Sequence, residues 1–203
     1  MTFIPEARLE ARAVELWHRH SLNPGFDVER LLDELELGLS WERIDNQEEG
    51  DVLGQLLPNK RLVLLNEAHY ERLEARDGAQ RRFTIGHEIG HWLLHAPAGG
   101  LGSSPLFDGE RVLCRDGSRQ AIERQAEMFS AALMMPREVL QAQLPSSPWH
   151  GWGPLYRLAE LFGVSPTAMQ IRLERLDWMH LEEDEKPRSG PAPTPGQGSL
   201  FIS

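Results

Sequence analysis

The chain has 203 residues, 40% of them hydrophobic, a formal net charge of −10 and a single cysteine. That length supports one substantial core, and one cysteine excludes an intramolecular disulfide. An acidic balance without a basic stripe lacks the surface that neutralises phosphates, so no direct nucleic-acid binding is expected; the absence of a long apolar run argues against a membrane partner and for a cytoplasmic location.

In chain order, residues 5–20 predict an amphipathic helix with Ala7, Ala11, Val14 and Trp17 along its buried stripe, and His18 and His20 at the surface. Asp27 is placed as the N-cap of a second helix that ends at Gly38. Strand-like runs follow at 39–44, 52–57 and 61–65, with Pro58-Asn59 as the turn. The small sheet they predict offers an edge to an extended peptide, and the 52–57 run is expected to supply it.

Next comes His87-Glu88-Ile89-Gly90-His91, set among Phe83, Ile85, Ile89, Trp92 and Leu93, whose spacing suits a half-buried helix. On a helix, residues four apart share a face, so His87 and His91 can turn ring nitrogens toward one Zn²⁺ while Glu88 faces a water there as general base. Such a motif arises by chance in on the order of one chain in a hundred, so its context carries the weight. Gly86 and Gly90 each cost helix propensity, roughly 1 kcal/mol against Ala, and are read as allowing close backbone approach. His95 is excluded as a third ligand. Three successive positions four apart spread over about 12 Å of helix, so His95 is read as a C-terminal residue beside the last carbonyls.

Catalytic zinc takes three protein ligands and keeps one position open. A second helix, with Ile122, Ala126, Phe129 and Leu133 on one face and Pro136 closing it, carries Glu123 and Glu127 one turn apart. That spacing suits a ligand paired with an acceptor for a ligand histidine, and equally two solvated carboxylates. Residues 96–119, between the two helices, are rich in Gly, Ser and Pro and are expected to form a flap, with Cys114 as an ordinary strand cysteine. Further on, Ala159, Gly163, Ser165 and Pro166 punctuate the segment as a helix-turn-helix would, with an apolar Ile171 and acidic Glu174 where a DNA reader needs cations. A structural or substrate-docking module is therefore expected. From residue 182 onward the composition turns to acids, then Pro, Gly and Ser, which predicts a disordered tail ending in Leu200-Phe201-Ile202.

On these two segments the chain resembles the ImmA/IrrE family of bacterial metallopeptidases, whose pattern is R-x-F-T-x-x-H-E-x-x-H followed by E-x-x-A-N-x-F-A-x-x-L-L-M-P. Here they are residues 81 or 82 to 91 and 123 to 136, within a likeness covering roughly 27–136. The resemblance implies His87, His91 and Glu123 as metal ligands, Glu88 as catalytic base, and Zn²⁺ as cofactor, with Mn²⁺ or Fe²⁺ acceptable to the same donors. Glu127 stands where the family has Asn or Asp, and Ser130 where it has Ala. The expected fold is α+β: a zincin-like metallopeptidase domain at 1–136, a helical helix-turn-helix-like module at 137–181, and the tail at 182–203. The implied function is a zinc-dependent endopeptidase whose protein substrate is a helix-turn-helix transcriptional repressor, cut in a stress, DNA-damage or mobile-element response. The alternative is a DNA-binding or repressor-binding regulator with a non-catalytic metal site. Tyr70, Tyr156, His69 and His150 are candidates to stabilise the oxyanion.

Overall fold

The computed structural model describes residues 4–45, 51–96, 107–108, 111–112 and 118–192. Helix α1 (Glu6–Arg19) buries Leu9, Ala13, Leu16 and Trp17. Ala7 and Ala11 are exposed, contrary to the expected stripe, because rotating the helix to bury two leucines removes more apolar area than two methyl groups would. His20 is not a free surface residue: its Nδ1 lies 2.5 Å from Glu34 Oε2. Helix α2 (Val28–Glu34) is capped as expected by Asp27, which accepts from the N–H groups of Glu29 and Arg30. It stops short of Gly38, because Glu36 takes a left-handed φ of 56° and Gly38 already begins a strand.

Strands β1 (Gly38–Glu42), β2 (Gly54–Leu57) and β3 (Leu62–Asn66) form a sheet in the order β1-β3-β2, with β1 parallel and β2 antiparallel to β3. A 3-10 turn at Pro58–Lys60 and a left-handed Arg61 reverse the chain between β2 and β3. Central β3 is almost wholly buried, as a strand paired on both sides must be, and β2 is left at an edge. Buried Asn66 ends β3 and holds the neighbouring loop by its amide, donating to the carbonyls of Ile44 and Val52 and accepting from the N–H of Ile44.

Helix α3 (Tyr70–Leu94) is interrupted at Ala75, Arg76, Asp77 and Gly78, the last three at φ 52°, 55° and 72°. Arg81 spans this break, pairing with Glu74 before it at 2.7 Å and with Glu29 of α2. Two short strands, β4 (Phe107–Asp108) and β5 (Arg111–Val112), pair antiparallel ahead of α4 (Ser118–Met134). Most of the expected flap, with Cys114, lies outside the described residues.

Helices α3 and α4 run in opposite directions, which sets Gly86 against Ser130 and Gly90 against Ala126. After α4 come α5 (Arg137–Gln143), α6 (Trp152–Phe162) and α7 (Pro166–Arg175). Gly163 takes φ 62° between α6 and α7, and Ser165 caps α7 by accepting from the Ala168 N–H. One core runs from Leu16 and Trp17 through Phe129 and Leu133 to Phe162 and Met169, so the packing is continuous across residue 136. Polar ties cross it too. Trp17 Nε1 donates to the Leu133 carbonyl at 2.7 Å, and buried Arg172 donates to the Met135 carbonyl at 3.1 Å and pairs with Glu10.

The tail is ordered further than its composition predicts. Strand β6 (Met179–Leu181) pairs with β7 (Pro187–Ser189), and Gly151 and Ser189 close backbone bonds between this hairpin and the start of α6. Local polarity misleads here because main-chain pairing needs no apolar side chains. Residues 193–203, with Leu200-Phe201-Ile202, lie outside the described residues. Among the described residues no helix is long and apolar enough to cross a membrane.

Candidate metal centre

His87, Glu88 and His91 all fall on the second part of α3, after the break. The imidazoles of His87 and His91 meet edge to face, their centroids 4.6 Å apart. Their Nε2 atoms are 3.0 Å apart, and Glu123 Oε2 of α4 lies 3.0 Å from one and 3.3 Å from the other. Four-coordinate zinc with bonds of ~2.0–2.1 Å spaces its ligand atoms about 3.3 Å apart, so two nitrogens and one oxygen already stand near the corners such an ion would fill. Among the described residues these three form the group of donors able to hold a metal ion.

The helix packing explains how Glu123 reaches across. A Cβ on Gly90 would stand 3.2 Å from the Cα and carbonyl oxygen of Ala126 and 3.2 Å from the Phe129 ring. Glycine at this position lets α4 lie directly on α3, one turn beyond Glu123. Ser130 is buried and donates its hydroxyl to the Phe83 carbonyl at 2.9 Å, adding a polar tie to the same seam.

The electrostatics follow the geometry. Burial would raise the Glu123 carboxyl, but hydrogen bonds from His87 and His91 outweigh it and hold the group well below the carboxylate range. Burial opposes the charge on His87, yet the bond to Glu123, helped by the charges of Glu88, Glu123 and Glu127, raises it. Glu88 is 5% exposed, and burial pushes its carboxyl up against the opposing imidazoles and a hydrogen bond from the Leu56 backbone. Gly54 of β2 sits above it: a Cβ there would be 2.6 Å from Thr84 Cγ2 and 3.4 Å from Glu88 Oε1. The edge strand therefore roofs the carboxylate at close range.

His95 does end α3, as the spacing predicts, and it does more than that. His91 Nδ1 lies 3.2 Å from His95 Nδ1, and His95 Nε2 lies 3.1 Å from Gln125 Oε1. With a metal bound, His91 Nε2 would turn its lone pair to the ion, placing its proton on Nδ1 to donate to His95 Nδ1, and His95 would then hold its own proton on Nε2 to donate to Gln125 Oε1. Burial pushes His95 down to about 4, keeping it neutral for this role. Glu127, weighed as the acceptor for a ligand histidine, is exposed and acts on His87 through its charge; the acceptor is His95. The signal was present, since His95 is four residues past His91, but the geometry that bars it from the metal also puts it behind the ligand. Gln125 carried no sequence signal.

The oxyanion candidates are spread. Tyr70 packs on Trp41 and His69 lies 3.9 Å from Asp51, while Tyr156 stacks on Trp152 and His150 bridges to Arg188.

The peptidase family described as the IrrE N-terminal-like domain matches residues 72–174, just over half of the chain and all of the donor cluster. The chain belongs to the ImmA/IrrE family. Membership makes it a relative of metallopeptidases, and a metal-holding triad at His87, His91 and Glu123 fits that family. No curated protein matches this family member. Among solved structures it is similar in fold to a Mycobacterium tuberculosis transcriptional regulator, with a TM-score of 0.52 and 19% identity over 82% of this chain and 46% of that one. The chain thus spans less than half of that regulator's length.

Proposed function

We propose that this ImmA/IrrE family member is a zincin-like, zinc-dependent endopeptidase that cuts a helix-turn-helix transcriptional repressor and so relieves repression in a stress, DNA-damage or mobile-element response. The observation that carries the reading is the convergence of His87 Nε2, His91 Nε2 and Glu123 Oε2 beside a buried carboxylate, Glu88, on the same helix. A purely structural zinc site closes with four ligands and needs no adjacent base. In this reading His87, His91 and Glu123 hold the ion, which when bound supplies Lewis acidity at the scissile carbonyl. Glu88 takes the proton from the attacking water at its carboxylate and passes it to the departing amine nitrogen. The Leu56 N–H holds that carboxylate in place, and the edge of β2 pairs with the substrate main chain. The helices α6 and α7 serve as a helix-turn-helix-like docking module rather than a reader of DNA. The regulatory setting fits the fold neighbour's title, transcriptional regulator.

The test mixes the full chain with helix-turn-helix repressors encoded beside it, with Zn²⁺, with Mn²⁺ and with chelator, and reads intact masses. One repressor is expected to yield discrete fragments, lost on chelation. Glu88→Gln should cut turnover by roughly 10²–10⁴-fold and leave metal stoichiometry at one. Unchanged turnover in Glu88→Gln would remove Glu88 from the mechanism, and repressors that stay intact in every condition would remove the substrate assignment.

A further inference from the structure

A groove of about 460 Å³ opens between the break in α3, the outer face of α4 and one side of α7 along its length. It adjoins the metal centre. Phe83 in its lining precedes His87 by one turn, and Glu127 follows Glu123 by one turn and already acts on the charge of His87. Its floor is apolar, made of Ala75, Ala79, Phe83, Ala131, Ala168 and Ile171, the last 51% exposed. Its charge is opposite to that of the chain. Four arginines and one carboxylate, Glu127, line it in a protein of net charge −10; Arg72 and Arg172 are committed to Asp51 and Glu10, so Arg76 and Arg175 leave the groove positive beside Glu127. Arg76 and Arg175 are exposed and form no ion pair among the described residues.

The break supplies one of those cations. Arg76 and Asp77 hold left-handed φ values that non-glycine residues adopt only under constraint, and this turns the first part of α3 aside and leaves Arg76 at the rim. Guanidinium groups at a rim pair with carboxylates in fork geometry, and an apolar floor takes aliphatic or aromatic side chains between them. A phosphate chain fits poorly: two arginines beside the Glu127 carboxylate give no neutralising stripe, and a single ring, Phe83, gives no platform for successive bases. We propose that this groove docks an acidic, apolar-rich segment of the protein substrate beside the bond to be cut. The proposal rests on the peptidase reading for its setting, but the docking it describes is measured without cleavage.

The experiment uses the full chain carrying Glu88→Gln and fluorescence anisotropy with a labelled peptide, Gly-Leu-Glu-Phe-Asp-Leu-Glu-Gly. A second peptide has lysine at each acidic position, and a third probe is a short DNA duplex. The acidic peptide is expected to bind about tenfold or more tighter than the lysine peptide. Arg76→Glu combined with Arg175→Glu should reverse that preference, Ile171→Asp should weaken both peptides, and the milder Arg76→Ala with Arg175→Ala should weaken only the acidic one. Reversal of preference is a readout that misfolding cannot produce. Equal binding of the two peptides, no response to charge reversal, or duplex DNA binding that the acidic peptide fails to displace would each overturn the groove assignment. A chain that binds the acidic peptide yet cuts no protein keeps the groove and loses the peptidase reading; one that cuts a repressor without charge preference does the reverse.

Discussion

The donor centre and the groove beside it share two helices and are built in opposite ways. At the centre the donor atoms have fixed neighbours: Glu123 Oε2 between two imidazoles, His91 backed by His95, His95 backed by Gln125, and α4 pressed onto Gly90. In the groove, Arg76 and Arg175 are exposed at the rim of an apolar floor whose Ile171 is itself half exposed. The difference teaches where rigidity is required. Donors must be placed to within a few tenths of an ångström before an ion arrives, whereas a docking surface can adjust its long side chains around what it meets.

The largest expected effect probes the rigid side. Gly90→Val places a branched side chain against the backbone of Ala126, which cannot yield without moving α4, and should cost about 3 kcal/mol in urea unfolding while weakening metal binding. Full stability with full metal affinity would show that the seam is not what positions Glu123. Next, His95→Ala should weaken Zn²⁺ about 10–100-fold in competition with a chelating dye, with His95→Gln recovering most of it, because an amide can accept from His91 Nδ1 and donate to Gln125. Equal losses in both variants would reduce His95 to a space-filling residue.

A pH titration of the metal-free protein sharpens the same point. His95 titrates near its ordinary 6.5 when unfolded and is pushed down to about 4 when folded, so the unfolded chain binds more protons between those values. Stability from this residue is complete above 6.5 and falls as the pH drops toward 4, by about 2 kcal/mol at pH 5. The acid sensitivity of wild type should exceed that of His95→Gln by this amount; parallel curves would contradict it. The smallest effect belongs to the groove. Arg76→Ala and Arg175→Ala should shift unfolding by under about 0.5 kcal/mol, since exposed, unpaired charges contribute little to stability.

Much of this was legible in the chain. The α4 stripe of Ile122, Ala126, Phe129 and Leu133 is fully buried as its period required, and Asp27, Gly163 and Ser165 sit where their cap and turn chemistry placed them. The strands emerged within a few residues of their expected bounds. What was not legible depends on contacts far apart in sequence. The break at 75–78 is held by Arg81 reaching to Glu29 and Glu74, and nothing in the local run Ala75-Arg76-Asp77-Gly78 beyond its glycine announces it. The pairing of β6 with β7 is hidden in the sequence for a related reason: its partners include Trp149 and Gly151, some forty residues upstream of the polar stretch they organise.

The far end of α4 has one more consequence, for the order in which the molecule can be completed during synthesis. Residues up to 123 carry all three donors, so a nascent chain of that length already has the composition of the centre. Its geometry comes later. The Met135 carbonyl waits for Arg172, and that same guanidinium closes onto Glu10, near the beginning of the chain. Translation thus delivers the ligands first and the clamp that steadies the helix bearing Glu123 almost fifty residues afterwards, so a truncated product ending before Arg172 would display the motif without a settled site.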